Sequence, residues 1–153
     1  MPTVTLTAKN FQEHVENPGI LVIDWWATWC GPCRAFAPIY EKASDKYTDV
    51  VFGKIDTDAE QELAATFEIR SIPTLMVFRD QVLVFARPGM IPGAALEDLV
   101  EKVKALDMAE VHRKVAEQEA AEKAEAREKT EESAAKEAKQ ETAENAKTAG
   151  SGG

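Results

Sequence analysis

The chain has 153 residues and carries 27 Asp and Glu against 18 Lys and Arg, a formal charge of −9 at pH 7. That balance disfavours nucleic acid and anionic membrane as partners, and the length suits one domain with a full core rather than two. No apolar run is long enough to span a bilayer, and two cysteines three positions apart are too few and too close for a secreted disulfide scaffold.

Val4–Thr7 reads as a short strand, with Thr7 placed to cap a helix that carries Phe11 and Val15 on one face. Asn17-Pro18-Gly19 is a turn. Ile20–Trp26 is a nearly continuous apolar run, the mark of a strand buried on both faces, broken only by Asp24. A helix follows from the cysteines, with Phe36, Ile39, Tyr40 and Ala43 on one face and Pro38 inside it. Val50–Ile55 is the next strand and Glu60–Phe67 a short helix. Thr74–Phe78 and Val82–Ala86 have the spacing of an antiparallel pair around Arg79-Asp80-Gln81, and a last helix runs from about Pro92 with Leu96, Leu99, Val100 and Val103 inward. The order β-α-β-α-β-α-β-β-α makes the chain an α/β protein, a mixed sheet with helices on both faces.

Composition changes near residue 107. All the Trp, Phe, Tyr and Pro residues lie in 1–106, and from Ala116 onward alanine is the only apolar side chain. Residues 1–106 therefore read as the domain and 107–153 as a charged Ala/Glu/Lys-rich extension, helical or disordered, that cannot build a core of its own. Pairs such as Glu110 with Lys114 and Glu132 with Lys136 have helical i,i+4 spacing in the favourable order, each worth roughly 0.2–0.5 kcal/mol. Asp107 followed by Glu110 is a cap pattern, with Met108, Val111 and Val115 on a weak apolar face. Gly150–Gly153 reads as a flexible end.

The chemistry concentrates in Trp29-Cys30-Gly31-Pro32-Cys33, directly after the buried strand. Disulfide exchange needs a thiolate, and a free cysteine at neutral pH is mostly protonated. A helix N-terminus offers unpaired N–H groups and about half a positive charge, which favour the anion. Cys30, nearest that end, is expected to be the exposed nucleophile, and Cys33, one turn on and more buried, the resolving thiol. Gly31 and Pro32 make the tight, stiff connection between them. A zinc site would need further ligands, and the chain offers only His14 and His112, far apart in sequence, so no metal is expected. Inert core cysteines fit poorly with the Gly-Pro pair and the polar helix start. Met1–Asn10 lacks the basic and apolar regions of a secretory signal, and with two neighbouring thiols this points to a reducing, cytoplasmic compartment.

The segment Asp24-Trp-Trp-Ala-Thr-Trp-Cys-Gly-Pro-Cys-Arg, with Pro38 five residues after Cys33 and Ile69-Arg-Ser-Ile-Pro-Thr downstream, resembles the thioredoxin active-site signature over about residues 3–106. The resemblance implies a thioredoxin-like fold with a mixed five-stranded central sheet, and a general protein-disulfide reductase that holds no bound cofactor beyond its own Cys30–Cys33 disulfide. It implies thioredoxin reductase and disulfide-containing proteins as partners, in a monomer. Asp24 would be a buried acid/base for Cys33, its pKa raised by desolvation, and Lys54 would modulate it. Pro73 would be a cis-proline facing the cysteines, leaving the Ile72 backbone free to pair with an incoming peptide. Trp29, Ile72, Pro88, Gly89 and Met90 would form an apolar substrate-binding rim. Met90 is bulkier than the small residue the resemblance leads one to expect, Asp80-Gln81 replaces a Gly-containing turn, and Thr57 stands where an aliphatic residue is common. A redox-linked binding module using the rim or the tail is the alternative reading.

Overall fold

A computed structural model describes residues 3–149 of the chain. Its elements are β1 (Val4–Thr5), α1 (Phe11–Glu16), β2 (Ile20–Trp26), α2 (Gly31–Lys46), β3 (Val51–Asp56), α3 (Gln61–Thr66), β4 (Thr74–Arg79), β5 (Val82–Pro88), α4 (Gly93–Lys104) and α5 (Met108–Ala149). Residue contacts divide the chain between Leu106 and Asp107 into two units.

In the first unit five strands form one sheet in the order β1-β3-β2-β4-β5. β1, β3 and β2 run parallel, while β2–β4 and β4–β5 are antiparallel, so the sheet is mixed. Side chains alternate across a strand, which sorts β2 between two cores. Val22 joins Phe36, Tyr40, Leu96 and Val100 under α2 and α4. Leu21, Ile23 and Trp25 join Phe11, Leu63 and Phe67 under α1 and α3. Burying a large apolar side chain of this kind is worth about 1.5–3 kcal/mol, and Trp25, Tyr40, Phe36 and Phe52 are all at most 2% exposed. Trp25 stacks at a tilt on Phe67, ring centres 5.7 Å apart. Gly53 lets β1 approach, because a Cβ there would stand 2.5 Å from Leu6 Cδ1.

Several local expectations shift. Thr7 does not cap α1 through its side chain: Asn10 is the N-cap residue, and its Oδ1 accepts from the Thr7 N–H at 2.7 Å. The longer amide reaches back across the turn, and Thr7 Oγ1 instead accepts weakly from Lys9 N–H at 3.3 Å. Pro92 is the N-cap of α4, with Gly93 the first helical residue. The Asp80-Gln81 turn takes positive φ (49° and 74°) without glycine. Contacts to the α1–β2 turn hold it: Asp80 Oδ1 accepts from Gly19 N–H at 2.8 Å, and Gln81 Nε2 donates to Glu16 O at 2.8 Å. Arg79 closes the C-terminal end of α4, its guanidinium donating to the carbonyls of Val103, Lys104 and Leu106, at a helix end where carbonyls lack intrahelical partners.

Among the described residues the second unit holds one helix, α5, 42 residues long. Asp107 Oδ1 accepts from the Glu110 N–H at 3.3 Å. Lys114–Glu110 and Lys136–Glu132 pair at 3.4 and 3.6 Å, and Arg113 lies 3.0 Å from Glu117. No described residue of it is buried.

Candidate active site

β2 ends at Trp26, and after a short turn Cys30 becomes the N-cap of α2, at φ −87° and ψ 111°. Pro32 sits in the first turn, where its missing N–H costs nothing because no partner exists there. The Cys33 N–H donates to Cys30 Sγ at 3.1 Å, so the first sulfur receives a helix-start donor. Cys30 and Cys33 are joined by a disulfide across a Cα–Cα distance of 5.2 Å, within the normal range for such a bridge. Among the described residues no His, Cys, Asp and Glu cluster could hold a metal ion.

The expected contrast between an exposed Cys30 and a buried Cys33 is absent. The two residues are 4% and 3% exposed, because Ala27, Trp26 and Ile72 pack around both. Cys30 Sγ lies 3.7 Å from the carbonyl oxygen of Ile72. The Ile72–Pro73 bond is cis, and Pro73 O accepts from the N–H of Gly89 at 2.8 Å. Gly89 takes φ +93°, a backbone conformation that suits glycine. These contacts bring the CxxC turn, the Ile72–Pro73 turn and the Gly89–Met90 loop together. Pro88, Gly89 and Met90 are exposed and Ile72 half-buried. Trp29 is 67% exposed, yet its ring is anchored, since Nε1 donates to Asp58 Oδ2 at 2.9 Å.

Asp24 is fully buried, on the sheet face that carries Val22 and packs under α2. Neither carboxyl oxygen has a hydrogen-bond partner among the described residues. Desolvation pushes its pKa from 3.8 up to about 6, against the opposing pull of Lys54. Register explains that pull: Lys54 of β3 is the parallel-sheet neighbour of Asp24, and its ammonium lies 5.0 Å from the centre of the Trp26 ring. Sequence reasoning placed Tyr40 only as a core residue. Its hydroxyl in fact contacts the β2 and β3 backbones, at 3.0 Å from Val22 O and 2.6 Å from Gly53 O, and burial with the nearby Asp24 charge raises its pKa. Asp58 was also missed. It follows Thr57, which bonds Trp26 O through its N–H and hydroxyl at 2.9 and 3.1 Å, and nothing in its sequence neighbourhood signals the bond to the indole.

Comparison with known proteins agrees with this geometry. The thioredoxin family model matches residues 2–105. The chain belongs to the thioredoxin family. It is 54% identical over 118 residues to "Putative thioredoxin 2" of Streptomyces coelicolor, covering 77% of this chain and 88% of the relative. It is 39% identical over 105 residues to the thioredoxin of Staphylococcus haemolyticus, covering 67% and 98%. Among solved structures, a mutant thioredoxin from Halobacterium salinarum superposes with a TM-score of 0.63 at 31% identity over 69% of this chain and 93% of the other. Plasmodium falciparum thioredoxin gives 0.61 at 34% identity, over 65% and 98%. Like other thioredoxins, the protein is a protein-disulfide oxidoreductase that works by dithiol–disulfide exchange, and its redox-active group is the Cys30–Cys33 disulfide.

Proposed function

We propose that the chain works as a general protein-disulfide reductase, recharged by an NADPH-dependent thioredoxin reductase, as a cytoplasmic monomer whose domain is residues 1–106 and whose extension is 107–153. The observation that carries this reading is a closed Cys30–Cys33 pair at the start of α2, with the Cys33 N–H directed at Cys30 Sγ. In the reduced protein the Cys30 thiolate attacks one sulfur of a substrate disulfide, forming a Cys30–substrate bond and expelling the other sulfur as thiolate. Asp24, ionised above its pKa of about 6, takes the proton of Cys33. The Cys33 thiolate then attacks Cys30 Sγ, closing the disulfide and releasing the second substrate thiol. Two electrons pass from the dithiol to the substrate.

Lys54 stabilises the Asp24 carboxylate by its charge. Ile72 and the cis-Pro73 turn offer backbone to the incoming chain, and Trp29, Pro88, Gly89 and Met90 supply the rim. Gly31 and Pro32 hold the two sulfurs in one turn. No helix among the described residues is long and apolar enough to cross a membrane.

The test is insulin reduction coupled to NADPH consumption by thioredoxin reductase. Turnover is expected with the native chain and a loss of at least about 10³-fold in Cys30→Ser, since no other residue supplies the nucleophile. An undiminished rate in that variant, or no turnover by the native chain, overturns the reading.

A further inference from the structure

Tyr40 is fully buried on the α2 face of the sheet, in a cluster made mostly of aliphatic and phenyl side chains, yet it carries a hydroxyl. A buried phenol needs a polar partner, and this one reaches two. Its Oη lies 3.0 Å from Val22 O on β2 and 2.6 Å from Gly53 O on β3. Val22 stands two residues before Asp24 and Gly53 directly before Lys54, and Asp24 and Lys54 are neighbours in the parallel ladder. The hydroxyl therefore joins the two strands at the step that sets the carboxyl beside the ammonium. A phenylalanine fills the same space without that tie.

We propose that Tyr40 is a positioning residue for the resolving step, its hydroxyl holding β2 and β3 together beside Asp24 and Lys54 so that the Asp24 carboxylate is ready to take the proton of Cys33. This deepens, and rests on, the reductase reading above. The β3 neighbour of Asp24 is Lys54 and its β4 neighbour is the apolar Leu75, while α2 and α4 line that face with Phe36, Tyr40, Leu96 and Val100. Among the described residues, Lys54 and Tyr40 are thus the titratable groups set against it, joined in the reduced protein by the two thiols. Burial, with the Asp24 charge, raises the Tyr40 pKa well above the usual tyrosine range. Across neutral pH the phenol is therefore a fixed dipole and does not itself titrate. Removing the hydroxyl acts on Asp24 twice, with one sign. The face loses a polar group, which deepens the desolvation that disfavours the carboxylate. The strand that carries Lys54 loses a tie, which weakens the charge that favours it. Both keep the proton on Asp24 to a higher pH.

Tyr40→Phe tests this, since it keeps the ring and deletes only the hydroxyl. The Asp24 carboxyl carbon is titrated by NMR in the oxidised full chain, its signal assigned by its loss in Asp24→Asn. In parallel, release of a peptide from its mixed disulfide with Cys30 is followed from about pH 5 to 9. The NMR midpoint in Tyr40→Phe is expected to lie about 0.5 pH unit or more above that of the native chain, about a threefold change in the ionisation constant. Half-maximal release is expected to need a correspondingly higher pH. Val103→Ala controls for loosening of the core. Val103 belongs to the same cluster, but its carbonyl is held by Arg79, the sheet neighbour of Ile20, four residues along β2 from Asp24. That variant is expected to lower the urea unfolding midpoint and to leave the Asp24 titration in place. A titration unmoved or lowered in Tyr40→Phe, or raised as far in Val103→Ala, overturns the positioning role while leaving the reductase standing. Failure of the native chain to release the peptide at any pH overturns both.

Discussion

The two units of this chain are held together by opposite means. Residues 3–106 are built from partners distant in sequence: β2 lies between β3 and β4, and Val22 and Trp25 are sealed by helices that lie before and after them in the chain. α5 is built from partners three and four residues apart and buries none of its described residues. Only the first arrangement can change chemistry. A carboxyl taken fully out of water at Asp24, or a sulfur fixed against a distant turn at Ile72, needs several segments converging on one point. A solvated helix leaves every ionisable group facing water.

Substitutions separate the two regimes, and the largest effect is expected in the core. Phe36 is 1% exposed and packs with Tyr40, their ring centres 5.8 Å apart. Phe36→Ala is expected to cost about 3–5 kcal/mol through lost burial and the cavity left behind, measured by urea unfolding followed by tryptophan fluorescence.

Asp24→Ala comes next and has the opposite sign. The rise of the Asp24 pKa from 3.8 to about 6 corresponds to about 3 kcal/mol. The folded protein holds this proton more tightly than the unfolded chain does, so stability falls as pH rises from about 4 through 6 and the cost is complete above that range. Asp24→Ala is expected to be more stable at pH 8 by up to about 3 kcal/mol, less whatever the missing side chain costs in packing. The gain should fade to nothing near pH 4, while reduction of insulin slows. Unfolding midpoints at both pH values check this, and a gain that does not depend on pH sinks it.

The smallest effect belongs to α5. Ala121→Gly is expected to lower helicity, at a local cost of about 1 kcal/mol, read by circular dichroism at 222 nm. The fluorescence-detected unfolding midpoint should not move. A coupled shift of the two signals would break the contrast between the units.

Most of the frame was legible in the chain itself. The apolar run Ile20–Trp26 is the central strand, the alternation of elements yields the mixed sheet, and the Cys30–Cys33 turn opens a helix. Less legible were features set by a few atoms. Asn10 in place of Thr7 at the start of α1, and the left-handed Asp80-Gln81 turn, depend on which side chain reaches a particular amide. Asp58 could not be found from its neighbours in sequence, since its role is a hydrogen bond to an indole 29 residues away. Tyr40 carried the right periodicity for a core residue, and periodicity says nothing about where a hydroxyl ends.

By itself, then, the sequence determined element types, their order, the family, and the residues that carry the redox chemistry, because hydrophobic period, helix-start chemistry and a dense motif are local properties. Tertiary structure alone decided the near-equal burial of the two cysteines, the anchoring of Trp29 by Asp58 and the tie between Gly89 and Pro73 beside the cysteine turn. Burial and electrostatic environment are set by which distant segments converge on a residue, and a linear pattern does not contain that information.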